Sequence, residues 1–435
     1  MFLFRPRTLG ACALIVGLSL VRVHAQETPS LSQGLTLGQA IERSLAANPS
    51  LQGFAFALKA QDARILQAGQ RPATEVSVEL ENFLGSGGFN GLDAVEATFA
   101  LSQVIELGDK RQLRGDAARS GRDFLSIERQ AAQLDVLAEV TRRFIAVAAA
   151  EEQLALTQQA TTLGKGIVDD VTRKVRAAKS PEGELLRARA AFSRAGLEEQ
   201  RATAQLSAAR QGLAAQWGST RADFSGVSAN LYAFPELFDF ENLAARLDGN
   251  PDFLRFTSEA RLRDAELRLA RSLRKPDLAV SGGVRRLEAT SDQALVMGVS
   301  VPLFAGRRAA PLIAEADALR GRVDADRNAA LILARTRLYG LYEELRQAIR
   351  ETETLQREVM PLLEEALKAT KYAYERGRYG YLELVDAQRA FLDARRATID
   401  SAVDAQALLA EIERLTGEPL VDDSAISPLS EGGKP

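Results

Sequence analysis

The sequence predicts a mostly helical protein with a small membrane β part, built twice from one unit of helix, strand hairpin, long helix and return helix. Three observations predict it. Two stretches, Ala73 to Arg111 and Asp277 to Arg308, each read as an alternating strand, a loop, a second alternating strand and a Gly-marked turn into a helix. A proline-free span of about 65 residues follows Leu107-Gly108-Asp109, and a straight helix of that length is about 100 Å long. The third observation is a set of matched residues at nearly fixed spacing between the two halves of the chain.

The strands come first. Val76, Val78 and Leu80 alternate with Glu75, Ser77, Glu79 and Glu81, and Val95, Ala97, Phe99 and Leu101 alternate with Glu96, Thr98, Ala100 and Ser102. Period-2 alternation gives a strand one apolar and one polar face. Leu278, Val280 and Val284, then Leu295, Met297 and Val299, repeat the pattern. About ten residues is the length of a tilted strand that crosses a bilayer, but the smallest membrane barrels need about eight strands. Four strands therefore require a barrel shared between chains, and strand arithmetic permits a dimer or a trimer. Glu75, Glu79, Glu81 and Glu96 fall on the polar face, which points into the lumen when the apolar face meets lipid.

Composition narrows the chemistry. The chain has 435 residues, a net charge of −3, one cysteine and one histidine. Arg5 and Arg7, the apolar run from Leu9 to Val21 and Val23-His24-Ala25 read as a signal peptide over 1–25. Its removal takes Cys12, His24 and three arginines with it. What is left has no thiol or imidazole for a metal site, a disulfide, a triad or a cysteine nucleophile. No enzyme, resident metal or cofactor is expected, and a mildly acidic chain with scattered basic residues gives no nucleic-acid surface.

The helices follow in order. Gln26 to Leu35 is a polar leader. Thr36 with Gln39 forms a capping box for a helix to Gln70 that Asn48-Pro49 interrupts. In the long helix Ile127, Ala131, Leu134, Ala138, Thr141, Ile145 and Ala148 form a heptad seam, and Val136, Val140 and Val147 form a second stripe. Two stripes suit a helix with a neighbour on either side. Ser180-Pro181 breaks it, and the return helix from Glu184 to Trp217 ends at Gly218. A linker over 219–239 leads to the second copy. Asn250-Pro251 answers Asn48-Pro49 at an offset of 202 and Val280-Ser281 answers Val76-Ser77 at 204, while Leu384 and Phe391 answer Leu185 and Phe192 at 199. The repeats are set at 26–218 and 240–417, with a disordered tail over 418–435. The second long helix is expected from Arg308 to Arg376, with Pro311 in its first turn and a kink at Pro361.

The residues Leu35-Thr36-Leu37 through Asn48-Pro49, Asn250-Pro251, Val301-Pro302-Leu303-Phe304 and YERGRYGYLELVDAQ over 374–388 resemble the TolC-like outer membrane efflux proteins. Arg71-Pro72, VELENF over 78–83 and LSQVIELGDKR over 101–111 are most similar to the CzcC-like, cobalt-zinc-cadmium branch. The resemblance implies a homotrimer with a twelve-strand barrel in outer membrane lipid and a helical tube across the periplasm. It implies docking on a periplasmic adaptor bound to an inner-membrane pump of the resistance-nodulation-division type. The expected function is an exit duct for heavy-metal cations. Organic drugs or type I protein secretion are alternatives within that class, and a soluble structural coiled-coil protein is the alternative outside it.

Two surfaces are expected at the far end of the tube. The turns Val175 to Glu184 and Tyr374 to Leu382 form the adaptor-docking tip, with Arg176, Lys179, Arg376, Gly377, Tyr379 and Tyr381. Arg378 stands in the same turn. In the family the periplasmic end is closed by acidic side chains just past the second turn, and Glu383 and Asp386 match those positions. Threefold symmetry would stack them as carboxylate rings that hold divalent ions, with Arg378 and Arg389 tying the closed state through ion pairs within a chain or between chains.

Overall fold

A computed structural model describes residues 34–420. The expected signal peptide, most of the leader and the tail from 421 onward lie outside the described residues.

The capping box at Thr36 is formed: Gln39 N–H donates to Thr36 Oγ1 at 3.3 Å and Thr36 N–H to Gln39 Oε1 at 3.1 Å. It opens α1 (Leu37–Ala47), which Asn48 ends before α2 (Pro49–Ala68). Asn48 does two jobs. Its Oδ1 accepts from Ser50 N–H at 2.9 Å, starting α2, and its Nδ2 donates to the Gln216 carbonyl at 2.9 Å. Two orphan groups at two helix ends are thus satisfied by one amide.

Strand β1 (Glu75–Glu81) turns into β2 (Glu96–Ile105), and α3 (Lys110–Arg176) follows as one helix of 67 residues. Both expected stripes of α3 are used. Ala131, Ala138, Ile145 and Ala148 are buried, and so are Val136, Val140 and Val147. The helix packs against α1, α2 and the return helix α4 (Glu182–Ala214). A short helical turn carries α4 to Gly218, whose φ of 74° closes it in the left-handed conformation that glycine tolerates.

The second copy repeats this with α5 (Phe240–Arg246), α6 (Pro251–Ser272), β3 (Leu278–Leu287) and β4 (Asp292–Ser300). It continues with α7 (Ala305–Thr354), α8 (Met360–Glu375) and the return helix α9 (Tyr381–Thr416). Asn250 matches Asn48: Oδ1 accepts from Asp252 N–H at 2.8 Å, and Nδ2 donates to the Arg414 and Leu415 carbonyls at 2.8 and 3.0 Å. Helices α6 and α9 also pack on α3, so the two copies share one long helix as their seam.

The linker is no free strap. Leu35 N–H donates to the Gly226 carbonyl and Ser228 N–H to the Leu35 carbonyl, both at 2.9 Å. Leu231 packs with Ile145, Ala148 and Ala402. The largest core lies where α5, α6, α7 and α9 meet, around Leu243, Phe253, Leu338, Leu345 and Ile412.

Three expectations need correction. Helix α7 starts at Ala305, so Pro311 sits past the first turn, inside the helix. The kink expected at Pro361 is a five-residue π turn, Leu355–Val359, directly before α8. Widening the helix makes room for a proline ring that an i→i−4 ladder would clash with. Glu418 to Leu420 still pack: Leu420 is 3% exposed and its N–H donates to Glu413 Oε1 at 2.9 Å.

Candidate functional site

All four strands form one antiparallel sheet in the order β1-β2-β3-β4, so the central pair β2–β3 joins the two copies. The register puts Val78, Phe99, Val284 and Leu295 in one row and Val76, Leu101, Gly282 and Met297 in the next. These side chains share one face and stand open, with Val76 at 74%, Leu295 at 85% and Met297 at 84% exposed. A continuous apolar face of this size on a folded protein needs a cover. Strands β1 and β4 have no further partner among the described residues. Lipid tolerates no such edges. Among the described residues no helix is long and apolar enough to cross a membrane.

The opposite face carries Glu75, Glu79, Glu81 and Glu96, together as expected. Arg285 reaches them from β3. Its guanidinium pairs with Glu81 Oε2 and Glu96 Oε2, both at 2.9 Å, and its Nε–H donates to Thr98 Oγ1 at 2.9 Å. Glu75 and Glu79 stand exposed with no ion pair among the described residues. The four carboxylates are thus two free and two tied. Among the described residues no group of three or more Asp, Glu, His or Cys is placed to hold a metal ion.

At the other end of the long helices two turns lie side by side. After α3, Ala178 takes φ 54°, and Lys179 N–H donates back to the Lys174 carbonyl at 2.8 Å. After α8, Gly377 takes φ 72°, and Arg378 N–H donates back to the Ala373 carbonyl at 2.9 Å. These are two copies of one Schellman-type stop. The turns are stitched together by Lys174, whose Nζ donates to the Tyr374 carbonyl at 2.7 Å and lies 3.3 Å from the centre of the Tyr374 ring. Burial pushes the Lys174 ammonium below the ordinary lysine range. Beneath them Val171, Leu185, Ala188, Tyr374, Tyr381 and Leu384 form a small core. Tyr374 is 2% exposed, and burial, with Glu184, Asp170 and Tyr381 nearby, pushes its phenol up to about 12.

Of the expected docking residues, Arg176, Lys179, Arg376, Gly377 and Tyr379 are exposed at these turns. Tyr381 is not. It is 5% exposed and belongs to the core that holds the turns together, so within one chain it supports the tip instead of presenting itself there. The spacing signal was present, since Tyr381, Leu384 and Phe391 fall on one helical face and all three are buried.

The expected gate residues separate in role. Glu383 Oε2 accepts from Gly380 N–H at 3.0 Å, which makes it the N-terminal cap of α9. Asp386 is exposed one turn further on. Neither Arg378 nor Arg389 makes an ion pair within the chain among the described residues, which leaves the ties between chains. The sequence signal for the cap was the Gly380-x-x-Glu383 spacing, a capping-box half with glycine in the first position. Arg389 instead lines a cavity of about 280 Å³ between α3, α4 and α9, beside Gly164, Ala191 and Asp393.

With the geometry described, comparison with known proteins settles the class. The family described as outer membrane efflux protein matches residues 40–219 and 242–418. The chain belongs to this family. It is an outer-membrane efflux channel that extends into the periplasm, and it is not an enzyme. It is similar to the cobalt-zinc-cadmium resistance protein CzcC of Cupriavidus metallidurans, 29% identical over 389 residues, covering 87% of this chain and 88% of that one. The nickel and cobalt resistance protein CnrC of the same organism is 26% identical over 312 residues and 70% of each chain. Among solved structures, CusC aligns with a TM-score of 0.73 at 15% identity, over 88% of this chain and 92% of the other. A membrane protein from Pseudomonas aeruginosa aligns at 0.72 and 22% identity, over 88% and 90%. At these identities the structures speak for the fold: mostly helical, duplicated, with a small four-stranded sheet.

Proposed function

We propose that this outer-membrane efflux channel is the exit duct of a tripartite system that expels divalent heavy-metal cations. TolC-like channels are trimeric parts of tripartite efflux systems. In this reading three copies close a twelve-strand barrel through the free edges of β1 and β4, and the paired turns meet a periplasmic adaptor bound to a resistance-nodulation-division pump. The observation that carries the cargo is the similarity to metal-resistance proteins along 87% of the chain.

The site chemistry supports passage more than capture. With Glu81 and Glu96 held by Arg285, the strand face that would line the barrel keeps Glu75, Glu79 and Asp292 to favour cations, and nothing soft enough to hold them. Selection then belongs to the pump and adaptor. At the tip, Asp386 is the free carboxylate of the proposed gate, and Glu383 shapes the turn that presents it. Arg378 and Arg389 would close the gate only by reaching a neighbouring copy.

The test is complementation. A strain lacking the channel but keeping its pump and adaptor should regain tolerance to cobalt, zinc and cadmium when this gene is supplied. Recovery of tolerance to organic compounds alone would reject the metal cargo while leaving the channel reading intact.

A further inference from the structure

The two ends of the sheet differ in charge. At the end away from the helices, residues 82–95 and 288–291 contain no lysine or arginine. At the helix end, where four strand termini meet α2, α3, α6 and α7, six cations crowd together: Arg71, Arg111, Arg274, Lys275, Arg307 and Arg308. All six are exposed, and none forms an ion pair among the described residues. The local acids are spent. Glu106 is held by Arg114, and Asp277 is held by Lys110 at 2.6 Å, which leaves Asp109.

Large apolar side chains stand open in the same collar. Leu303 is 73% exposed and Phe304 71%, with Val301 and Leu107 at 44% and 43%. They continue the apolar sheet face past the last strand residue. The first turns of α3 and α7 have no acidic residue and no side-chain cap, so the positive end of each helix dipole adds to the cations. A soluble junction would scatter this charge and cover Phe304. A cleft of about 190 Å³ between Lys110, Lys275, Pro302, Arg308 and Leu312 lies within the collar.

We propose that this collar is a binding surface for anionic phospholipid headgroups of the periplasmic leaflet. The apolar side chains enter the acyl boundary, and the guanidinium and ammonium groups meet the phosphates just outside it. Continuity with the lipid-facing strands and charge complementarity both select this occupant. The collar thereby fixes the depth of the barrel, going beyond the duct function and independent of its cargo.

The purified native assembly, in mild detergent, can be offered phosphatidylglycerol, phosphatidylcholine or lipopolysaccharide and examined by native mass spectrometry. The wild-type channel should retain phosphatidylglycerol over phosphatidylcholine by about tenfold, a preference that falls with added salt. The double substitutions Arg274→Gln/Lys275→Gln and Arg307→Gln/Arg308→Gln, read separately, should each cut that preference about threefold or more. Arg346→Gln/Arg350→Gln, near the C-terminal end of α7 and far from the collar, should leave it unchanged. Equal retention of the two phospholipids by the wild type overturns the proposal without any variant. So does undiminished preference in both collar variants, or selective retention of lipopolysaccharide alone.

Discussion

The α3–α4 and α8–α9 turns share a backbone and differ in almost everything else. Both stop a helix with one residue at positive φ, and both send an amide back to the last turn. The first puts Ala178 at that position and follows with Pro181, which cannot rotate about its own φ. The second uses Gly377, then Gly380, and depends on the Glu383 carboxylate to cap the next helix. A Cβ at positive φ costs about 1–2 kcal/mol. The first turn therefore tolerates strain in a braced loop, while the second is unstrained and leaves the start of its next helix to one capping side chain. Duplication kept the geometry and let the mechanical character diverge, which makes the α8–α9 turn the one suited to move.

Substitutions at three positions break or sharpen this contrast. The largest effect is expected from Gly377→Val, which forces a β-branched residue into the left-handed region at about 2 kcal/mol or more. Hydrogen exchange should rise at both turns, because Lys174 ties them, and metal tolerance should fall with membrane abundance unchanged. Next is Glu383. Glu383→Ala removes cap and charge together and should loosen the start of α9 by about 0.5–1 kcal/mol, whereas Glu383→Gln keeps an acceptor for Gly380 N–H. Divalent block in single-channel recordings separates the roles: loss in both variants means the charge matters, and loss in the alanine variant alone means the cap does. The smallest effect has the opposite sign. Ala178→Gly should relieve the first turn by about 0.5–1 kcal/mol, read as slower exchange at Lys179. Faster exchange there would show that alanine's lower chain entropy outweighs its strain.

Much of this was legible beforehand because it rests on local rules. The capping box at Thr36, the Asn-Pro helix starts and the strand faces follow from short spacings, and the register of the duplicated halves follows from their offset. What escaped depends on contacts between distant residues. Arg285 is recognisable as a polar-face residue, but its grip on Glu81 and Glu96 needs the β2–β3 pairing that joins the two copies. Tyr381 reads as a tip aromatic until α3 and α4 are placed beneath it. The π turn escaped for another reason. Proline forbids one hydrogen bond, but sequence does not say whether the helix bends or widens to lose it.

The paired asparagines have a chemical side as well. Asn48 and Asn250 each donate to carbonyls at the negative end of a neighbouring helix, where an aspartate would have nothing to donate and a charge of the wrong sign. Asparagine ages to aspartate when the next residue's amide nitrogen attacks its side chain. Proline follows both clamps, and its nitrogen carries no proton to lose in that attack. The asparagines at the helix joints are therefore the ones shielded from ageing. Exposed Asn90, followed by Gly91 in the first hairpin loop, has no such shield. Peptide mapping after prolonged incubation should find Asn90 converted while Asn48 and Asn250 remain amides.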